Sequence, residues 1–216
     1  MSAETGWLIR AGGSPTDLPS VVRALYGGGD LAAAVEGRSL YLRSPVIDRV
    51  EKEEDAEWAA YEFVRLVSAA LQLRGVAVFL EFQSIETPDH ALVVNQESAH
   101  LRRNGGGELS VHEVMNVAQH WGDVRSALLA FADGGAEGLF KAYEALTCEL
   151  LDAQLLDYAG GVGTREWLIQ QGWVTEPEEA RFLDTVRHYG RRNSGASFTP
   201  ASPIEAQHLV GRLLTK

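Results

Sequence analysis

Along the first hundred residues, apolar positions come in short bursts broken by glycine and polar turns, with one long helical stretch among them. Residues 7–10 (WLIR), bracketed by glycine, predict an opening strand. Leu18, Val21, Val22 and Leu25 recur at helical spacing and predict a helix over 17–26, stopped by a loop at Gly27, Gly28 and Gly29. Residues 31–35 and 39–43 alternate apolar with polar side chains around Glu36, Gly37 and Arg38, the pattern of a hairpin. Residues 55–74 give the strongest helix. There Trp58, Tyr61, Phe63, Val64, Val67, Leu71 and Leu73 form a wide apolar face to cover a sheet, with carboxylates at the start and Gly75 past the end. Two β-rich runs, 76–82 and 90–96, joined by a loop at Thr87, Pro88 and Asp89, complete a β-α-β-β-α-β-β order.

Residues 104–108 (NGGGE) read as a linker, and after them the period changes. The stretches 111–119, 121–132, 139–156, 165–171, 176–189 and 203–214 all carry apolar residues three and four apart, which predicts a helical bundle. The expected class is therefore α+β: a small mixed sheet with covering helices over 1–103, followed by a helical bundle over 104–216.

Composition narrows the function. A 216-residue chain that is 45% hydrophobic can bury a sizeable core. A formal charge of −11 disfavours extended binding to nucleic acid, which needs a positive surface to displace counterions. Cys148 is the only cysteine, so no internal disulfide can form, and a buried free thiol in a reducing compartment is expected. The opening MSAETGWLIR lacks a leader pattern and no eighteen-residue apolar run occurs, so a cytoplasmic protein with no membrane partner is expected. Cationic residues are nearly all arginine, and alanine, glycine and leucine abound, which suggests a bacterial source with a GC-rich genome.

Candidate chemistry concentrates in residues 178–193 (EEARFLDTVRHYGRRN). Thr175 supplies an N-cap hydroxyl, Pro177 an early proline, and Glu176, Glu178 and Glu179 place carboxylates over the positive end of the helix dipole. Arg187 and His188 fall in the last turn before Gly190, and Arg191 and Arg192 continue the local basic surface, where RNA is the expected ligand if one binds. Phe182, Thr185, Val186 and Tyr189 are expected to pack inward, while Arg181, Asp184 and His188 share another face. No cofactor or metal is expected. Residues 160–163 (GGVG) lack the lysine and hydroxyl of a phosphate loop, and His112 and His120, with Glu113 beside the first, are spaced as surface histidines rather than as helical ligands. The five tryptophans, scattered along the chain, are expected in cores and interfaces. The acidic run 51–57 (EKEEDAE) reads as a solvated helix start, with a face for a basic partner as its second reading.

The second half resembles a loosely defined set of uncharacterised bacterial proteins that join an α+β unit to a helical one. The matching residues are 139–144 (LFKAYE), Gly172 and Trp173, 182–185 (FLDT), 187–190 (RHYG), and a last helix from Pro203 with Glu205, Ala206, Leu209, Leu213 and Leu214. It also resembles HEPN-type helical bundles, small dimerising domains of bacterial conflict systems, toxin pairs and RNA-processing enzymes. Active members carry an arginine followed on the same helix by a histidine, as Arg181 is by His188, although Phe182 stands where they usually have a polar residue. The resemblance implies that His188 would move the proton of an RNA 2′-hydroxyl and Arg181 would stabilise the phosphate, and Asp184, four positions before His188, is placed to orient the imidazole or raise its pKa. The expected function is non-catalytic interaction with a second copy or a partner protein. The alternatives are a metal-independent endoribonuclease acting as a toxin or defence component, and a ligand-sensing regulator.

Overall fold

A computed structural model describes residues 6–14, 18–25, 31–76, 78–87, 110–148, 164–189 and 202–214. The glycine loop at 27–29, the strand expected at 90–96, the linker at 104–108, the end of the helix expected over 139–156 and the GGVG stretch lie outside the described residues, as does the side chain of Cys148. The chain divides into two compact units, Met1–Asn116 and Val117–Lys216.

Among the described residues the first unit runs β1 (Leu8–Gly12), α1 (Leu18–Leu25), β2 (Ala32–Glu36), β3 (Ser39–Arg43), α2 (Pro45–Asp48), α3 (Glu53–Leu73) and β4 (Glu81–Glu86). The strands form one sheet in the order β2-β3-β1-β4, antiparallel at every pairing. This is the split β-α-β, or ferredoxin-like, topology. The α+β class holds, but the sheet is antiparallel where a mixed one was expected. The crossover through α1 leaves β1 and β2 one place apart, and β3, turning back from β2 in the hairpin, fills the gap. The face with Ile9, Ala11, Leu40 and Leu42 is fully buried, with α1 against β2 and α3 against β4. The opposite face, with Arg10, Tyr41 and Arg43, is half-exposed. There Arg43 Nε donates to Asp48 Oδ2 at 3.1 Å and Trp7 donates its backbone N–H to Asp48 Oδ1 at 2.8 Å, which ties α2 to the start of β1.

Helix α3 decides how β4 enters. It starts on Glu53, Glu54 and Asp55, carboxylates that favour the positive end of the dipole, and has no side-chain cap. It ends in a Schellman motif: Gly75 N–H bonds Gln72 C=O at 2.9 Å and Val76 N–H bonds Leu71 C=O at 3.0 Å, with Gly75 at φ 73°. From Phe63 to Leu71 the helix is buried on nearly every side. Its first turns are not. Trp58, expected in the apolar face over the sheet, stands in solvent, while Tyr61, part-exposed, still meets Phe82 of β4 edge-on. Trp121 is exposed too, so two of the five tryptophans depart from the expected core role.

The strand expected at 76–82 is displaced to Glu81–Glu86. The apolar run before it is sewn to the helix instead. Ser68, buried in α3, donates to Val78 C=O at 3.4 Å and accepts from Leu80 N–H at 3.2 Å, while Gln72 Nε2 reaches Val78 C=O at 3.3 Å. Val78 and Leu80 are buried, so these groups need partners that a sheet edge does not supply. Ser68→Ala is expected to cost about 1–3 kcal/mol, because the Leu80 amide loses its acceptor in the interior. Urea unfolding measures the loss, and a change within error of zero would contradict the stitch.

Helix α4 (Val111–His120) contains the division between units. The second unit consists, among the described residues, of α5 (Gly122–Asp133), α6 (Gly135–Cys148), α7 (Thr164–Gln170), α8 (Glu176–Tyr189) and α9 (Pro203–Leu214). Helix α6 is its centre and packs against the other four. Leu128, Phe131, Leu139, Tyr143, Phe182, Leu209 and Val210 make the core. Gly138 permits a close approach of α6 to α5, since a Cβ there would lie 2.5 Å from Ala130 C=O. Among the described residues no helix is long and apolar enough to cross a membrane.

Candidate functional site

The helices that bear the candidate chemistry start in the same way. Thr175 caps α8 and Glu178, three residues on, bonds back: Glu178 Oε2 accepts from Thr175 N–H at 3.0 Å and from its hydroxyl at 2.6 Å. Ser202 and Glu205 repeat the arrangement on α9, with Ser202 N–H to Glu205 Oε2 at 2.7 Å and Glu205 N–H to Ser202 Oγ at 3.3 Å. Ser110 and Glu113 do so on α4. These are capping boxes, in which a hydroxyl and a carboxylate each satisfy an orphan amide of the first turn.

In α8 and α9 the second oxygen of each capping glutamate binds an arginine of the other helix. Arg212 Nη2 donates to Glu178 Oε1 at 2.9 Å, and Arg181 Nη1 donates to Glu205 Oε1 at 2.9 Å. Two reciprocal ion pairs thus clasp the helices. Between them is a cavity of about 200 Å³ whose lining includes Glu178, Arg181, Phe182, Glu205, His208 and Arg212. Its two arginines and two glutamates cancel in formal charge. Asp184 is exposed one turn further along α8.

The Thr175 hydroxyl, then its amide, then Arg212 hold the Glu178 carboxyl down at about 2, well below its ordinary 4.5. Glu205 is lowered as well, first by the Ser202 amide and hydroxyl and less by Arg181. Both charges are therefore anchored mainly by their own helix caps. A carboxyl lowered by folding adds stability that is complete above its unfolded pKa and is lost as pH falls through the folded value. Stability is thus expected to fall between about pH 4.5 and pH 2 as Glu178 takes up a proton. Thermal unfolding across that window should be less pH-dependent in Glu178→Gln than in the wild type; equal slopes would remove Glu178 as the cause.

Of the residues singled out in sequence, Arg181 is half-exposed and paired with Glu205, and Asp184 is exposed. His188 and Arg187 belong to the last turns of α8, but their side chains lie outside the described residues, as do Arg191 and Arg192 altogether. Phe182 packs inward as expected, its ring 4.9 Å from that of Tyr143. Glu179 was expected as one of the carboxylates over the positive end of the helix dipole. It is buried and accepts from Tyr143 Oη at 3.0 Å. The signal was its spacing of three from Phe182, which puts both on the inner face. Glu205 and Arg212 were not foreseen as partners of this helix, although the run Ser202, Pro203, Ile204, Glu205 carries a capping-box signature. His112, expected on the surface, is part-buried and donates from Nε2 to Leu25 C=O, at the end of α1, at 3.0 Å. Among the described residues no three His, Cys, Asp or Glu side chains gather as a metal site. Compared with protein families, with curated proteins and with solved structures, the chain gives no match.

Proposed function

We propose that the chain is a non-catalytic interaction protein that binds through apolar side chains held in solvent. The observation that carries this reading is the exposure of large side chains that a self-sufficient fold would bury: Trp58 is 66% exposed and Phe79 60%. Surface aromatics of this size are more useful to a partner than to the fold around them. The use of Arg181 supports the same reading. Its guanidinium is committed to Glu205, next to a second clasp of the same kind.

The test is incubation of the purified chain with single-stranded and structured RNA, wild type beside His188→Ala, with oligomeric mass measured by light scattering on the same samples. Neither protein is expected to cut. Cleavage by the wild type that disappears in a folded His188→Ala variant would overturn the proposal in favour of a HEPN-like ribonuclease. Arg181→Ala is expected to lower stability by less than about 1 kcal/mol, the usual worth of a half-exposed ion pair. A larger loss in chemical denaturation would mean the clasp does more than hold two helices together.

A further inference from the structure

The first turns of α3 carry more than a helix start requires. Glu53, Glu54 and Asp55 suffice for the dipole, yet Glu51 and Glu57 extend the exposed acidic run on either side, and Trp58 follows at once. Residues 54, 58, 61 and 65 lie one turn apart on one line of the helix, so carboxylate, indole, phenol and guanidinium succeed one another along a single ridge. The Trp58 and Tyr61 rings are 5.7 Å apart, and Tyr61 meets Phe82 edge-on at 6.3 Å, which carries the aromatic surface from the helix onto β4. On that ridge one cation is already seated, the Arg65 guanidinium 5.5 Å from the centre of the Tyr61 ring. Trp58 is the most exposed large hydrophobic side chain among the described residues of the unit.

We propose that this ridge docks an arginine-rich segment of a partner protein, with a guanidinium over Trp58 and its neighbours in sequence paired with Glu54, Asp55 and Glu57. Charge complementarity selects the occupant. Indole faces favour cations, and carboxylates one turn away add attraction for a second and third positive group. A nucleic acid backbone would be repelled by the same carboxylates, and a second copy meeting this surface across a two-fold axis would bring acid against acid. The proposal rests on the interaction reading above, but the two fail separately: the RNA assay can overturn that reading without any peptide, and the titration below can fail while no RNA is cut.

The experiment titrates the full chain into a fluorescently labelled peptide of alternating arginine and glycine, with a glutamate and glycine peptide as control. Trp58→Ala is expected to weaken binding about three- to thirtyfold and Trp58→Phe by less, since the ring is kept. Glu54→Gln combined with Asp55→Asn should weaken it further and reduce its dependence on salt. Trp58 is solvent-exposed, and thermal unfolding checks that each variant folds. No binding, or binding that Trp58→Ala leaves unchanged, overturns the proposal, the latter because charge alone would then account for it. A dimer in the wild type that becomes a monomer in Trp58→Ala would overturn it equally, by making the ridge a contact between copies.

Discussion

Phe182→Ala is expected to remove about 3–5 kcal/mol of stability, the cost of an aromatic ring deleted from a packed interior with the cavity left behind. Phe182 is among the most fully buried side chains, and its ring packs against Tyr143 on the central helix α6. Tyr143 in turn holds buried Glu179, so the loss of the ring also loosens a polar contact that has no water to fall back on. Hydrogen exchange at α6 and α8, together with urea unfolding, measures the effect. The neighbouring change Arg181→Ala should cost several times less, and equal losses at the two positions would contradict the packing described. The position beside the candidate arginine is thus the one on which the helix depends.

The second large effect is expected at Leu42→Ala, at about 2–5 kcal/mol. Leu42 lies in β3, pairs with Ile9 of β1 and Ala33 of β2, and is fully buried beneath the helices. It is the point where the inserted strand joins both halves of the split motif. A truncation there opens a cavity bordered by two strands that the chain connects only through α1. A loss below about 1 kcal/mol in chemical denaturation would mean the site collapses around the smaller side chain, and would remove β3 as the keystone of the sheet.

Much of this architecture was legible in the residues. The opening strand, the helix at 18–25, the hairpin and the long helix all follow from patterns within a few positions, as do the caps at Thr175 and Gly75. Helical and strand periods, capping and turn chemistry are local, so one sequence carries them in full. The helices of the second unit were legible for the same reason.

What was misread depended on partners distant in sequence. Whether 76–82 or 81–86 becomes the strand is decided by Ser68, which offers the apolar run its hydrogen bonds from inside α3. Of the aromatic pair in the first turns of that helix, Tyr61 finds Phe82 on β4 and Trp58 does not reach the sheet. At the candidate site, the triad of Arg181, Asp184 and His188 rested on spacing along one helix. The partner of Arg181 comes from another helix, twenty-four residues on.

By itself the sequence determined the α+β class, the opening strand, the helix that follows it, the hairpin and the capped start at Thr175, because each rests on contacts within one or two turns of chain. Only the tertiary structure decided that β3 enters between β1 and β2, that Glu179 turns inward while Trp58 turns outward, and that the two capping glutamates bind arginines across α8 and α9. Those choices are made by packing and charge between segments that periodicity cannot bring together.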